Sequence, residues 1–155
     1  MIVISHRGNL NGPDKQRENT TFAIDEVIEM GGLCEVDVWK IDDNLFLSHD
    51  FPNEELEPID FEYFRTRRSN LIIHCKNIES LQFFQGRHEE SFHYFWHEND
   101  QYTLTSHGWI WAYPGKNVLK NERSIAVAVM PEIVNDFEVN NFNAVCTDFV
   151  NKYKL

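Results

Sequence analysis

Eight short apolar runs recur along the chain, and their rhythm is that of strands. They are Ile2–Ser5, Leu33–Trp39, Leu45–Leu47, Leu71–Cys75, Tyr94–Trp96, Trp109–Tyr113, Ile125–Val129 and Ala144–Thr147. Each is brief and rich in β-branched or aromatic residues, which favours strand over helix. Between the first two, Phe22, Ala23, Val27 and Met30 recur at helical spacing, with Ile24 and Ile28 one stripe over. Asn19 or Thr20 offers an N-cap there, and Gly31-Gly32 ends the helix. Strand, helix, strand implies a parallel pair joined by a right-handed crossover. Residues 59–68 and 78–90 have room for two further helices. The second half is thinner. From Trp96 the chain passes Tyr102-Thr103-Leu104 and the turn Ser106-His107-Gly108 before Trp109, short of the dozen or more residues a parallel crossover needs. The pattern predicts a reduced α/β barrel with several helices replaced by loops. An open parallel sheet is the second architecture.

Length agrees with that trimming. The 155 residues suit one domain spanning 1–155, with 42% hydrophobic residues for a single core. They fall below the roughly 200 residues at the lower end for a complete (β/α)₈ barrel. A net charge of -11 opposes a nucleic-acid partner. No apolar run approaches the ~20 residues of a membrane span. Met1 to Ser5 is too short for a secretory core, and His6-Arg7 ends it. Three cysteines at wide spacing, without a CxxC pair, indicate a reducing compartment, and cytoplasm is the expectation. Cys34, Cys75 and Cys146 fall within strand runs and read as small core residues. A barrel short of helices exposes apolar strand backs, so a homodimer covering them is also expected.

Candidate chemistry comes from strand alternation. In Leu33–Trp39, Glu35 and Asp37 share one face while Cys34, Val36 and Val38 share the other. If both faces are buried, two adjacent carboxylates need a cation or a proton, and a hard divalent ion fits all-oxygen ligands. If the strand is an antiparallel edge, both acids face water. His74 and Lys76 likewise share a face, where Lys76 either meets an anion or snorkels to solvent. His6 and His49 each follow a strand run directly, at the end that carries active sites in parallel α/β folds. They read either as an acid–base pair near Arg7 or as hydrogen-bonded surface residues.

These residues fall in a recognisable order. His6-Arg7-Gly8, Glu18-Asn19-Thr20 before a helix, Glu35-Val36-Asp37-Val38, and Ser48-His49-Asp50 together resemble the glycerophosphodiester phosphodiesterase family. Leu71 to Lys76 is similar to that family's next strand, and Ala144 to Asp148 to its closing strand. The resemblance implies a TIM-type (β/α) barrel and metal-dependent hydrolysis of a small phosphodiester. It implies His6 and His49 as acid and base, and Glu35 and Asp37 as metal ligands. Arg7 and Lys76 would meet the phosphate, and Glu18 would line the site. His74 stands where the family has a third carboxylate ligand; the expected cofactor is Mg²⁺, Ca²⁺ or Mn²⁺, with the imidazole shifting preference from Ca²⁺ towards Mn²⁺ or other nitrogen-tolerant ions. Two further departures are the Asn9–Arg17 loop after Gly8, with Arg17 in place of a proline, and the short stretch after Asp50. The latter opens the mouth to bulkier diesters.

Other features add less. Trp111 could stack on a polyol, although core packing is the usual fate of Trp. His97 and His107 lie near strand ends as candidate substrate contacts. Arg65, Arg67 and Arg68 complement a helix C-terminus. A rival class is a non-catalytic module that binds a phosphorylated ligand on a degenerate barrel. A phosphate-eliminating lyase would use the same groups.

Overall fold

A computed structural model describes residues 1–153. The strands are β1 (Ile2–His6), β2 (Leu33–Ile41), β3 (Asn44–Leu47), β4 (Leu71–Cys75), β5 (His93–Trp96), β6 (Tyr102–Leu104), β7 (Ile110–Ala112), β8 (Ala126–Val129) and β9 (Ala144–Thr147). The helices are α1 (Thr21–Glu29), α2 (Phe61–Arg67), α3 (Ile78–Gln85) and the single turn α4 (Val150–Tyr153). Eight strands run in the order β5-β4-β2-β1-β9-β8-β7-β6. The two ends of that order meet: the Thr103 hydroxyl donates to the Trp96 carbonyl (2.9 Å), and the Ser106 N–H to the Tyr94 carbonyl (2.8 Å). The result is a nearly closed, barrel-like sheet with few helices, as the thin connections of the second half require.

Two strands depart from the expected parallel scheme. β6 is antiparallel to β7, a reversal that lets short links replace helical crossovers. β3 is antiparallel to β2 and lies off the barrel path. The expected helix at 78–90 also breaks: α3 is capped at Gly86, and only a 3₁₀ turn, His88–Glu90, follows.

Alternation sorts the core into two layers. Inside the barrel lie Ile4, Ile72, Phe95, Trp111, Val127 and Cys146. Outside, Val36, Val38, Ile73 and Cys75 pack on Ile24 and Val27 of α1, Phe64 of α2 and Phe84 of α3. Over β7 and β8 the outer residues are Ala112, Ala126 and Ala128, small enough for loops bearing Val118, Phe137 and Phe142 to close over them. The three cysteines are buried and free, as expected of core residues. At Gly8, φ is +86°, and an added Cβ would lie 2.9 Å from Ala23 Cβ, so only glycine lets α1 pack against this turn. Among the described residues, no helix is long and apolar enough to cross a membrane.

Candidate functional site

The inner faces of β1, β2 and β4 change character towards their carboxyl ends. Below are Ile4 and Ile72; above are His6, Glu35, Asp37 and His74. Register brings them together, since His6 pairs with Glu35 and Asp37 with His74. Glu35 and Asp37 are 3% and 0% exposed, so the water-facing edge strand is excluded. Lys76 does not snorkel away: its Nζ lies 3.4 Å from Asp37 Oδ1.

Asp37 is the hub. Arg7 Nε approaches its Oδ2 at 2.8 Å, and His74 Nδ1 its Oδ1 at 3.0 Å. Asn19 grips it twice, donating from Nδ2 to Oδ2 (3.0 Å) and accepting the Asp37 N–H at Oδ1 (3.0 Å). Thr20, not Asn19, caps α1. Arg7 and Asn19 both hold φ at 57°, a left-handed conformation costly for residues with a Cβ and frequent at functional turns. Glu18 Oε1 sits 3.7 Å from Arg7 Nη1 and completes the surround.

Glu35 is less well provided for. Its Oε1 is 3.8 Å from His74 Nδ1, and its Oε2 is 3.9 Å from His6 Nε2. Oε2 is buried and has no hydrogen-bond partner. His74 poses a related problem. Its Nε2 is 3.2 Å from the His97 carbonyl, which can only accept, so Nε2 carries hydrogen there. In the neutral ring Nδ1 then presents a lone pair to Asp37 Oδ1. Two lone pairs at this distance repel unless a proton or a metal cation lies between them.

The electrostatics point the same way. Burial and the charge of Asp37 push the Glu35 carboxyl up, against His6, His74 and Arg7. Asp37 goes down: burial opposes its charge, but the nearby His74, Arg7 and Lys76 outweigh it. Asp37, Glu35, Glu18 and Asp148 all act on Arg7, and Lys76 adds a second cation beside Asp37. One ligand atom from each of Glu35, Asp37 and His74 lies within 4.8 Å of the others, so this group can hold a metal ion. The orphaned Glu35 Oε2 and Asp37 Oδ1 are what such an ion would satisfy.

His6 is fixed from the far end of the chain. Its Nδ1 donates to Asp148 Oδ1 at 2.8 Å, and Asn9 Nδ2 donates to the same oxygen at 2.9 Å. Burial disfavours its imidazolium, yet Asp148 and Glu35 outweigh burial and raise the His6 pKa above 6.5. The sequence matches Asp148 to a closing strand without giving it a role, and offers Asn19 as a cap and as part of the Glu18-Asn19-Thr20 motif without a role at the site. Both contacts are long-range; the sole local signal was the Thr147-Asp148 pair at a strand end.

His49 reaches the site by another route than expected. β3 is antiparallel, so its carboxyl end does not belong to the parallel rim. The β2–β3 hairpin instead rises above the rim and returns, with the Ser48 N–H bonded to the Asp37 carbonyl (3.1 Å). His49 lines the same cavity of about 620 Å³ as His6 and His74. Its side chain is half-exposed, and Nδ1 is 2.8 Å from Asp50 Oδ1.

The remaining candidates divide. Trp111 is 5% exposed and packs on Phe95 (4.7 Å between centroids), so it is core that also lines the cavity. His97 lines the cavity, but both ring nitrogens are shielded and unbonded; its clear contact is the carbonyl on His74. His107 is not at this site. It stacks on His93 (4.3 Å), near the amino end of β5. Arg67 spends its charge on Asp25 of α1. No protein-family model, no curated protein and no solved structure matches the chain.

Proposed function

We propose that the protein is a metal-dependent phosphodiesterase on a reduced (β/α) barrel of the glycerophosphodiester phosphodiesterase type. One observation carries the reading. A buried carboxylate, Glu35, has an unpartnered oxygen beside Asp37 and His74, and faces an imidazole that Asp148 holds in place.

Mg²⁺, Mn²⁺ or Ca²⁺ on Glu35, Asp37 and His74 would supply Lewis acidity towards a phosphoryl oxygen, and the imidazole ligand favours Mn²⁺. Arg7 and Lys76, on the cavity wall, bring positive charge to the diester. Asp148 takes the His6 Nδ1–H, which leaves Nε2 to exchange a proton with substrate. Hydrolysis adds water across one P–O bond. The attacking oxygen bonds to phosphorus and gives its proton to one imidazole. The ester P–O bond breaks, and the departing oxygen takes a proton from the other imidazole. His6 and His49 fill these two roles. Where the substrate carries a neighbouring hydroxyl, that group attacks first and a cyclic phosphate precedes the monoester; rapid-quench phosphorus NMR reveals it.

The test is a panel of glycerophosphodiesters and a chromogenic diester with Mg²⁺, Mn²⁺ and Ca²⁺ in turn. Turnover is expected with at least one metal. Turnover no greater than that of the His6→Ala, His49→Ala double variant defeats the reading. A second reading, a binding module without catalysis, draws on His49, which is half-exposed and engaged by Asp50. Calorimetry that shows tight binding and returns the diester intact would favour it.

A further inference from the structure

The proposed chemistry leaves one inward-turned carboxylate unused. Glu132 stands in the 3₁₀ turn Pro131–Ile133 that follows β8. Its Oε1 accepts two hydrogen bonds from the end of β9, from the Thr147 hydroxyl at 3.0 Å and the Asp148 N–H at 2.9 Å. Its Oε2 is buried and has no hydrogen-bond partner. The chain enters this turn through Met130, at φ 45°, a left-handed conformation costly for a residue with a Cβ. The Met130 N–H donates to the Cys146 carbonyl (2.7 Å) and seats the turn on β9. An orphaned carboxylate oxygen and a left-handed methionine both cost free energy, and both serve the same contact.

We propose that Glu132 is a positioning residue for the Asp148–His6 pair: it fixes the main chain of Asp148 so that the Asp148 carboxylate meets the imidazole. β9 ends at Thr147, so Asp148 lies just beyond the strand and needs other restraints. Glu132 supplies them on both sides of Asp148. It holds the Asp148 N–H directly. It also holds the Thr147 hydroxyl, which in turn accepts the Phe149 N–H at 3.0 Å. The Gly12 N–H donates to the Asp148 carbonyl at 2.7 Å and adds a third tether. With its main chain clamped, Asp148 presents Oδ1 to His6 Nδ1 (2.8 Å) and to Asn9 Nδ2 (2.9 Å). Reach matters as much as charge. An aspartate at position 132 would draw the accepting oxygen back by about 1 Å, past hydrogen-bond range. The effect on rate rests on the phosphodiesterase reading; the effect on the His6 proton does not.

The test compares Glu132→Ala, Glu132→Asp and Glu132→Gln in the full chain; only the last keeps an accepting oxygen at full reach. One arm measures turnover of a chromogenic diester with Mn²⁺. The other needs no turnover: NMR of the ¹⁵N-labelled, metal-free protein follows the His6 Nδ1–H, whose exchange with solvent is slow while Asp148 holds it. Ala and Asp should lower kcat by up to about 10²-fold, with KM unchanged, and should speed exchange of the His6 proton. Gln should restore both. Wild-type kcat and proton exchange in the Ala and Asp variants overturn the inference while leaving the phosphodiesterase reading in place. A Gln variant as impaired as Ala also overturns it, as does loss of the folded circular-dichroism spectrum in both Ala and Asp, which would make Glu132 a folding residue. Faster exchange in Ala and Asp, restored in Gln, without turnover in the wild type upholds the positioning role and defeats the hydrolase. Neither turnover nor any change in exchange defeats both.

Discussion

β2, β4 and β5 are backed by the helices α1, α2 and α3, and β1 by the turn α4, whereas β6, β7 and β8 are backed by loops. The first region has the longer strands and carries nearly all the buried charge; the second has strands of three or four residues and an apolar inner face. The difference teaches what a buried ionic site requires. Asp37 needs Asn19, Arg7, His74 and Lys76 held at fixed distances, and each stands at the end of an element anchored by a full hydrogen-bonded ladder or a packed helix. Apolar packing asks for less directional precision, so Trp111 and Val127 tolerate short strands and loop cover.

Truncating one key residue in each region should sharpen this contrast most. Asp37→Ala strands buried cations, and Trp111→Ala opens a cavity; each is expected to cost about 3–5 kcal/mol at pH 7 in urea unfolding. Their pH dependence should differ. The Asp37 pKa is depressed, so its contribution is present above the unfolded value of 3.8 and drains away as pH falls below it. The penalty of Asp37→Ala should shrink there, while that of Trp111→Ala stays constant. Equal pH profiles would break the comparison.

Asp148→Asn comes next. Removing that charge leaves burial less opposed, so the His6 pKa should drop below its wild-type value in an NMR titration. On the proposed mechanism kcat falls about 10²-fold. An unchanged His6 titration would separate Asp148 from the site.

Glu35→Gln tests the sign of the charge balance. A carboxyl pKa raised above 4.5 means that the native state loses stability as pH rises through that raised value. Without metal, the variant should melt at or above the wild-type temperature at pH 8. Added Mn²⁺ should raise the wild-type Tm and leave the variant's unchanged. The smallest effect belongs to the loop-backed region: Leu119→Ser, at 93% exposure, should stay within about 0.5 kcal/mol of wild type.

What the sequence made legible follows the range of the interactions. The inward register of Glu35, Asp37, His74 and Lys76 depends only on strand alternation, which a short stretch of sequence displays. The run Tyr102–Leu104 is too short and polar to announce its direction, so the antiparallel β6 that nearly closes the barrel was not readable. His49 was found as a residue, but its placement depends on a hairpin whose antiparallel course the apolar pattern does not reveal. The bond from Asp148 to His6 spans 142 positions, and no local pattern encodes it. Asn19 was misread for a physical reason: the residue type that caps helices also donates and accepts in tight turns, and Thr20 took the cap.

The central claim is that Glu35, Asp37 and His74 converge on one divalent ion beside His6. Crystals grown with Mn²⁺ and measured near the manganese absorption edge test it most directly. A single strong anomalous peak is expected within ligand distance of all three side chains, absent in Glu35→Gln. A peak elsewhere, or none at saturating Mn²⁺, would contradict it.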